Sequence, residues 1–247
     1  MGLFDLFSKK KSEAPRVSDR ELARYERLVS SKLSQNIDRQ EAIEALCRME
    51  SAAAAAVLLK RFDWVLDPSI TDQEEKEACV RGIVSAGDAA IAPVRAYCKK
   101  AESVMWPLKA LKSIVPSESL AEELLALLDQ YDTEYVRNVE PKVQLITELA
   151  QHKSEDVRIA LEPFLQDASE PVRFATVTSV FALGSSASVP ALVAAMVGEE
   201  SQRIKNRISQ RLAELGWAIP EELHAQLRST LPPSFRLEAN VVKAAGS

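Results

Sequence analysis

Arg203, Arg207 and Arg211 recur every fourth residue in SQRIKNRISQRLAELGW (201–217), so a helix there carries three guanidinium groups on one face. Lys205 adds a fourth cation, and only Glu214 opposes them. Planar, permanently charged forks in a row can hold carboxylates or phosphates; alternatively they are cations spaced along a solvated face. A second constellation is Asp63 beside Trp64 in RFDWVLDPSITDQEEKE (61–77), an acid and an aromatic on a stretch of about ten residues between helices. Thr71 and Glu74 fit a capping box and Asp67-Pro68 fits a turn, but neither accounts for Asp63 and Trp64. Binding residues concentrate on such loops, although Phe62 and Trp64 could equally plug a gap between helices.

Catalytic chemistry has few other footholds. His152 and His224 belong to no HExxH or HxH pattern, and there is no GxSxG, P-loop or GxGxxG. Cys47, Cys79 and Cys98 form no CxxC pair and leave one odd, so they read as small buried apolar groups in a reducing compartment. No metal, cofactor or catalytic residue is expected. The run SESLAEELLALLDQYDTE (117–134) holds Glu118, Glu122, Glu123, Asp129, Asp132 and Glu134 without one basic residue. Leu120, Leu124, Leu127 and Leu128 supply its buried stripe, leaving the acids either solvated or available to a basic partner.

The elements that must position these groups are helical. Of 247 residues 47% are hydrophobic and 27% charged, a balance that folds, and only seven are glycine, which disfavours hairpins and Gly-rich phosphate loops. A net charge of −5 disfavours a nucleic-acid coat. No apolar run is long enough to span a bilayer, and no signal-peptide core is present. Apolar spacing and turn signals predict helices over 19–33, 36–49, 51–61, 72–86, 88–100, 103–115, 117–130, 134–151, 155–166, 170–184, 187–198, 200–216 and 220–230. Short connections make neighbours antiparallel, and SEDVR (154–158) and SEPVR (169–173) mark two helix starts.

Internal similarity follows. PVRFATVTSVFALG (171–184) aligns with RIKNRISQRLAELG (203–216) at an offset of 32, and ITELA (146–150) with VFALG (180–184) at 34. An apolar helix, then QDASEPVR, then FATVTSVFALG resembles a HEAT repeat; Asp167, Pro171, Val172 and Arg173 carry the likeness and Leu183-Gly184 closes it. The likeness is best over 134–216. The resemblance implies an all-α, right-handed α-solenoid of about six antiparallel helix pairs with a terminal capping helix, spanning 18–230 as a single domain. It also implies that second helices line a concave surface, and that Asp167 is the turn partner of Arg173.

Both ends stand apart. In MGLFDLFSKKK (1–11), Leu3, Phe4, Leu6 and Phe7 share one side of a short helix, and Lys9, Lys10 and Lys11 follow. Such a wedge rests weakly on an anionic membrane surface, docks into a partner, or has no specific role. Residues 231–247 form a tail able to fold back as a cap. Taken together, the expectation is a non-catalytic cytoplasmic scaffold or adaptor that binds a protein partner on its concave face, with a peripheral contact to the inner membrane surface open through residues 1–11. Arg203, Lys205, Arg207 and Arg211 supply charge, and Asp63 and Trp64 a loop contact. The resemblance also admits an enzyme-maturation factor or lyase-type protein related to bilin lyases. A nucleic-acid-binding protein of the alkylpurine DNA glycosylase type is a further alternative, which the net negative charge disfavours.

Overall fold

In a computed structural model, which describes residues 18–246, the helical periods become thirteen α-helices. They are α1 (Asp19–Val29), α2 (Asn36–Cys47), α3 (Ala52–Leu59), α4 (Ser69–Ser85), α5 (Ile91–Cys98), α6 (Met105–Ile114), α7 (Ser117–Leu128), α8 (Glu140–Leu149), α9 (Glu155–Leu161), α10 (Glu170–Leu183), α11 (Val189–Val197), α12 (Gln202–Leu215) and α13 (His224–Thr230). Their ends follow from local chemistry. Ser18 Oγ accepts the Glu21 amide N–H while the Glu21 carboxylate accepts that of Ser18, a reciprocal capping box at α1. Ser51, Ser154 and Ser201 cap α3, α9 and α12 with their hydroxyls. Two helices stop on glycines at the left-handed positions that residues with a Cβ avoid, Gly184 (φ 77°) after α10 and Gly216 (φ 61°) after α12.

The described residues form two compact units: residues up to Tyr97 with Lys109–Ile114, and Cys98–Leu108 with the residues from Val115 onward. In the first, α1 pairs with α2 and α3 with α4, while α1 packs on α3 and α2 on α4. In the second, the hairpins α7–α8, α9–α10 and α11–α12 stack the same way. There α7 meets α9, and the 3₁₀ turn that continues α9 (Glu162–Gln166) meets α11; on the other side α8 meets α10 and α10 meets α12. Each unit is thus built from helix–helix pairs burying apolar stripes; Leu120, Leu124, Leu127 and Leu128 of α7 are all buried. No helix among the described residues is long and apolar enough to cross a membrane.

Three segments depart from expectation. The helix expected from residue 72 begins at Ser69, so Thr71 lies inside its first turn and the Thr71–Glu74 capping box does not form. Asp72 is drawn inward instead, toward Arg61 and Lys76. The helix expected from 134 begins at Glu140. Lys142 Nζ donates to the carbonyl oxygens of Asp132 (2.8 Å) and Glu134 (3.4 Å), which holds that stretch out of a helix, and the Asn138 side chain accepts the Glu140 amide at the new start. After α13 comes an antiparallel hairpin, β1 (Phe235–Glu238) with β2 (Val241–Ala244), the exception to helical structure among the described residues. Val242 is buried where β2 packs on α12, and Ala239 turns the hairpin with φ of 54°.

One glycine reports a close approach in the first unit. A Cβ added at Gly82 of α4 would overlap Cys47 Sγ of α2 and sit 2.8 Å from Leu58 Cδ1. Gly82→Ala is therefore expected to cost about 1–3 kcal/mol by overpacking, despite alanine's better helix propensity. Chemical denaturation checks it, with Cys47→Ala in the same chain recovering part of the loss. Burial raises the thiol pKa of both Cys47 and Cys79, which suits inert packing groups.

Candidate functional site

In the second unit a cation on one helix meets an acid in the turn before the next helix, twice. Lys142 of α8 and Asp167 are both fully buried, with Nζ 2.6 Å from Oδ2, and Asp167 Oδ1 accepts the Ser169 amide at 2.8 Å. Arg173 of α10 reaches Glu199 through Nε (2.8 Å) and Nη2 (3.0 Å), and Glu199 Oε1 accepts the Ser201 amide at 2.8 Å. Each acid therefore neutralises the cation before it and receives an amide at the entry to the following helix. Burial alone would raise the Glu199 pKa; the hydrogen bonds from Arg173 and from the Ser201 amide outweigh it and hold the carboxyl below its ordinary range. The expected Arg173–Asp167 pairing is corrected here. Arg173 Nη1 donates to the carbonyl oxygen of Asp167 (2.9 Å), while the Asp167 carboxylate belongs to Lys142.

Asp167 and Glu199 stand 32 positions apart, and so do Arg173 and Lys205. Lys205 is thus the next cation in the series, but the position 32 beyond Glu199 is Leu231, so its acid is missing. Among the described residues Lys205 forms no ion pair.

The arginine row on α12 lies along aromatic rings of α10. The Arg203 guanidinium carbon is 3.5 Å from the centroid of Phe174, and that of Arg211 is 5.9 Å from Phe181, whose other neighbour is the stacked ring of Trp217 (5.6 Å). Such cation–π contacts are worth about 0.5–1 kcal/mol at exposed sites. Arg207 sits between them, with Nε buried and unpartnered. Arg211 pairs with Glu214 (2.5 Å), and that hydrogen bond lowers the Glu214 pKa. Arg203 and Arg207 form no ion pair among the described residues. Lys205 falls about 200° round the helix from Arg203 and does not join their row. The i, i+4 spacing identifies the arginines; Phe174 and Phe181 escaped it because, seven apart on α10, they read as ordinary core positions.

Asp63 and Trp64 turn out differently. Lys60–Asp63 is a 3₁₀ turn continuing α3, which shortens the irregular stretch to 64–68. Asp63 accepts the Tyr97 hydroxyl at 2.7 Å, and Tyr97 packs edge-on against Phe62. Trp64 is only 7% exposed and lies under Arg61, whose guanidinium carbon is 3.8 Å from the ring, with Arg39 at 5.3 Å. It is an interior residue of the first unit, not an exposed loop aromatic. Arg39, Arg61, Asp72, Glu75 and Lys76, all buried, make up the charge network around it. Burial would raise the Asp72 pKa, but hydrogen bonds from Lys76, Arg61 and the Leu66 amide hold it below the usual value.

Leu3, Phe4, Leu6, Phe7, Lys9, Lys10 and Lys11 lie outside the described residues. No group of three or more His, Cys, Asp or Glu side chains is arranged to hold a metal among the described residues. Among the described residues, the arginines of α12 and the phenylalanines of α10 together form a stripe of cations backed by aromatic rings. Compared with known proteins, the chain matches no family model and no curated protein.

Proposed function

We propose that this chain is a HEAT-like repeat adaptor that holds an acidic segment of a protein partner against the arginine row of α12. The observation that carries the reading is that Arg203 and Arg207 form no ion pair among the described residues, and that Arg203 is held over the ring of Phe174. A cation ordered on a ring has already lost much of its rotamer freedom, so less is lost when a carboxylate arrives. Four residues of helix advance about 6 Å, close to the roughly 6.6 Å between alternate residues of an extended chain. Glu or Asp at every second position of an extended partner segment thus matches the row in spacing as well as charge. The repeat reading is supported by the paired units Lys142–Asp167 and Arg173–Glu199 and by the equivalent glycines after α10 and α12. In this reading the helix pairs form a right-handed solenoid, and α13 with the β-hairpin closes its end.

Affinity capture from native lysate, run side by side with wild type and Arg203→Gln/Arg207→Gln/Arg211→Gln, tests the proposal. Partners held by wild type should be retained more than tenfold less by the variant and should elute with moderate salt. Capture of the same partners at the same level by both would remove the arginine row from the interface.

A further inference from the structure

We propose that the groove between α7 and α9 binds an elongated organic dication, an aliphatic chain with an ammonium group toward each end. The groove belongs wholly to the second unit and encloses about 650 Å³, within the size range of ligand pockets. Leu125, Leu128 and Tyr131 line it from α7 and the turn that follows. Phe164 lines it from the 3₁₀ turn that ends α9, so the floor is apolar. Carboxylates mark its two ends. The Ala168 amide donates to the carbonyl oxygen of Thr133 (2.9 Å), which sets Asp132 and Thr133 beside the chain that leaves the 3₁₀ turn. Asp129 lies one turn earlier, at the end of α7, whereas Asp156 stands in the first turn of α9. From Asp156 to Pro163, both on the groove, the helix and its 3₁₀ continuation advance about 12 Å.

Asp129, Asp132 and Asp156 form no ion pair among the described residues. Two bases close to them are engaged elsewhere. Arg158 of α9 pairs with Glu155 and Glu162, and Lys142, which holds the carbonyl oxygen of Asp132 at 2.8 Å, gives its charge to Asp167. The half-buried Tyr131 hydroxyl has no hydrogen-bond partner among the described residues, and burial raises its pKa, so it adds a neutral polar group to the groove. Three carboxylates repel an anion, and a neutral apolar molecule would leave them without a counter-ion. They are also not gathered as a metal would need, so positive charge has to arrive at separate points. A methylene chain on the leucine and phenylalanine side chains, with one ammonium near Asp132 and another near Asp156, meets both requirements. The ring of Tyr131 suits the same cation. This site is independent of the arginine row on α12, so either can fail without the other.

Isothermal titration calorimetry on the full chain tests it, with 1,8-diaminooctane, 1,4-diaminobutane and 1-aminooctane as probes. The eight-carbon diamine should bind once per chain and at least tenfold more tightly than either of the others. The shorter diamine gives up burial worth about fourfold in affinity per methylene, and the monoamine gives up one charge-assisted hydrogen bond. Asp132→Asn/Asp156→Asn removes charge at exposed positions and should weaken 1,8-diaminooctane at least tenfold. Ala160→Phe, which fills the groove, should do the same, whereas Arg203→Gln/Arg207→Gln/Arg211→Gln should leave its binding unchanged. Absence of 1,8-diaminooctane binding up to millimolar concentration overturns the proposal, as does equal binding by wild type and Asp132→Asn/Asp156→Asn. Equal affinity for all three probes overturns it too, since that is mere attraction to an acidic chain. Binding of tetralysine that depends on Asp132 and Asp156, without binding of 1,8-diaminooctane, would assign the groove to a basic protein segment instead.

Discussion

Glu75→Leu should destabilise the first unit by about 3–5 kcal/mol, a large share of the roughly 5–15 kcal/mol that holds a typical domain together. Glu75 is the hub of the buried network. Its carboxylate accepts Arg39 through Nε and Nη2 at 2.7–2.9 Å and Arg61 through Nε at 2.7 Å, and no side chain in these pairs is more than 2% exposed. Without it, two interior guanidinium groups are left with Asp72, which Lys76 already engages. The cost comes from stranding charge in a medium that solvates it poorly, not from the loss of favourable contacts alone. Arg39→Met/Arg61→Met/Glu75→Leu, which leaves the neutral pair Lys76–Asp72, should therefore be less destabilised than the single variant. Urea unfolding of the three proteins decides this. A single-variant loss below about 1 kcal/mol would mean that water reaches the network and screens it.

That network also explains why Trp64 reads so differently in sequence and in space. Beside Asp63 and before Asp67-Pro68 it has the local marks of a loop aromatic, and nothing within a turn or two reveals its neighbours. Arg39 and Glu75 lie 36 positions apart, and Lys142 and Asp167 lie 25 apart. Helical periodicity reports which face of an element is buried; it carries no information on which distant side chain meets that face. The helices themselves were legible for that reason, as α7 shows, where the stripe Leu120, Leu124, Leu127 and Leu128 is the one the structure buries. Residues 134–139 misled for the complementary reason. Their composition tolerates a helix, but Lys142 claims the carbonyls of Asp132 and Glu134. The hairpin at 235–244 has strands of only four residues, too short for alternation to register.

The candidate site divides along the same line. The arginine row is a property of one helix and could be read from spacing, whereas the rings beneath it belong to another helix. The missing acid of Lys205 becomes visible only once Arg173 is seen to pair with Glu199 and not with Asp167. The series of cation and acid then has a defined end, at the helix that bears the unpaired charges. In the repeat reading proposed above, a further unit beyond α12 would place an acid near residue 231; Leu231, which follows α13 and leads into the hairpin, stands there instead. On that reading Lys205 is left without an acid, on a different side of α12 from Arg203 and Arg207.

Lys142→Met should produce the second large loss, about 3–5 kcal/mol in the second unit, because it takes away the ion-pair partner of interior Asp167 and leaves nearby only Arg173, whose own ion pair is with Glu199. Asp167→Asn alone should cost less, since asparagine can still accept the Ser169 amide through its side-chain oxygen. In the double variant Lys142→Met/Asp167→Asn no charge remains buried, so its loss should fall well short of the sum of the two single losses. A coupling of 2 kcal/mol or more in the double-mutant cycle is expected, at the upper end of the usual range of about 0.5–3 kcal/mol. Lys142 has one further role that Asp167→Asn does not touch, since its ammonium group also gathers the carbonyls of Asp132 and Glu134. Amide exchange over 130–139 should therefore accelerate in Lys142→Met and remain near wild type in Asp167→Asn. Equal acceleration in both would place the ordering of that segment in the ion pair instead of in the ammonium–carbonyl bonds.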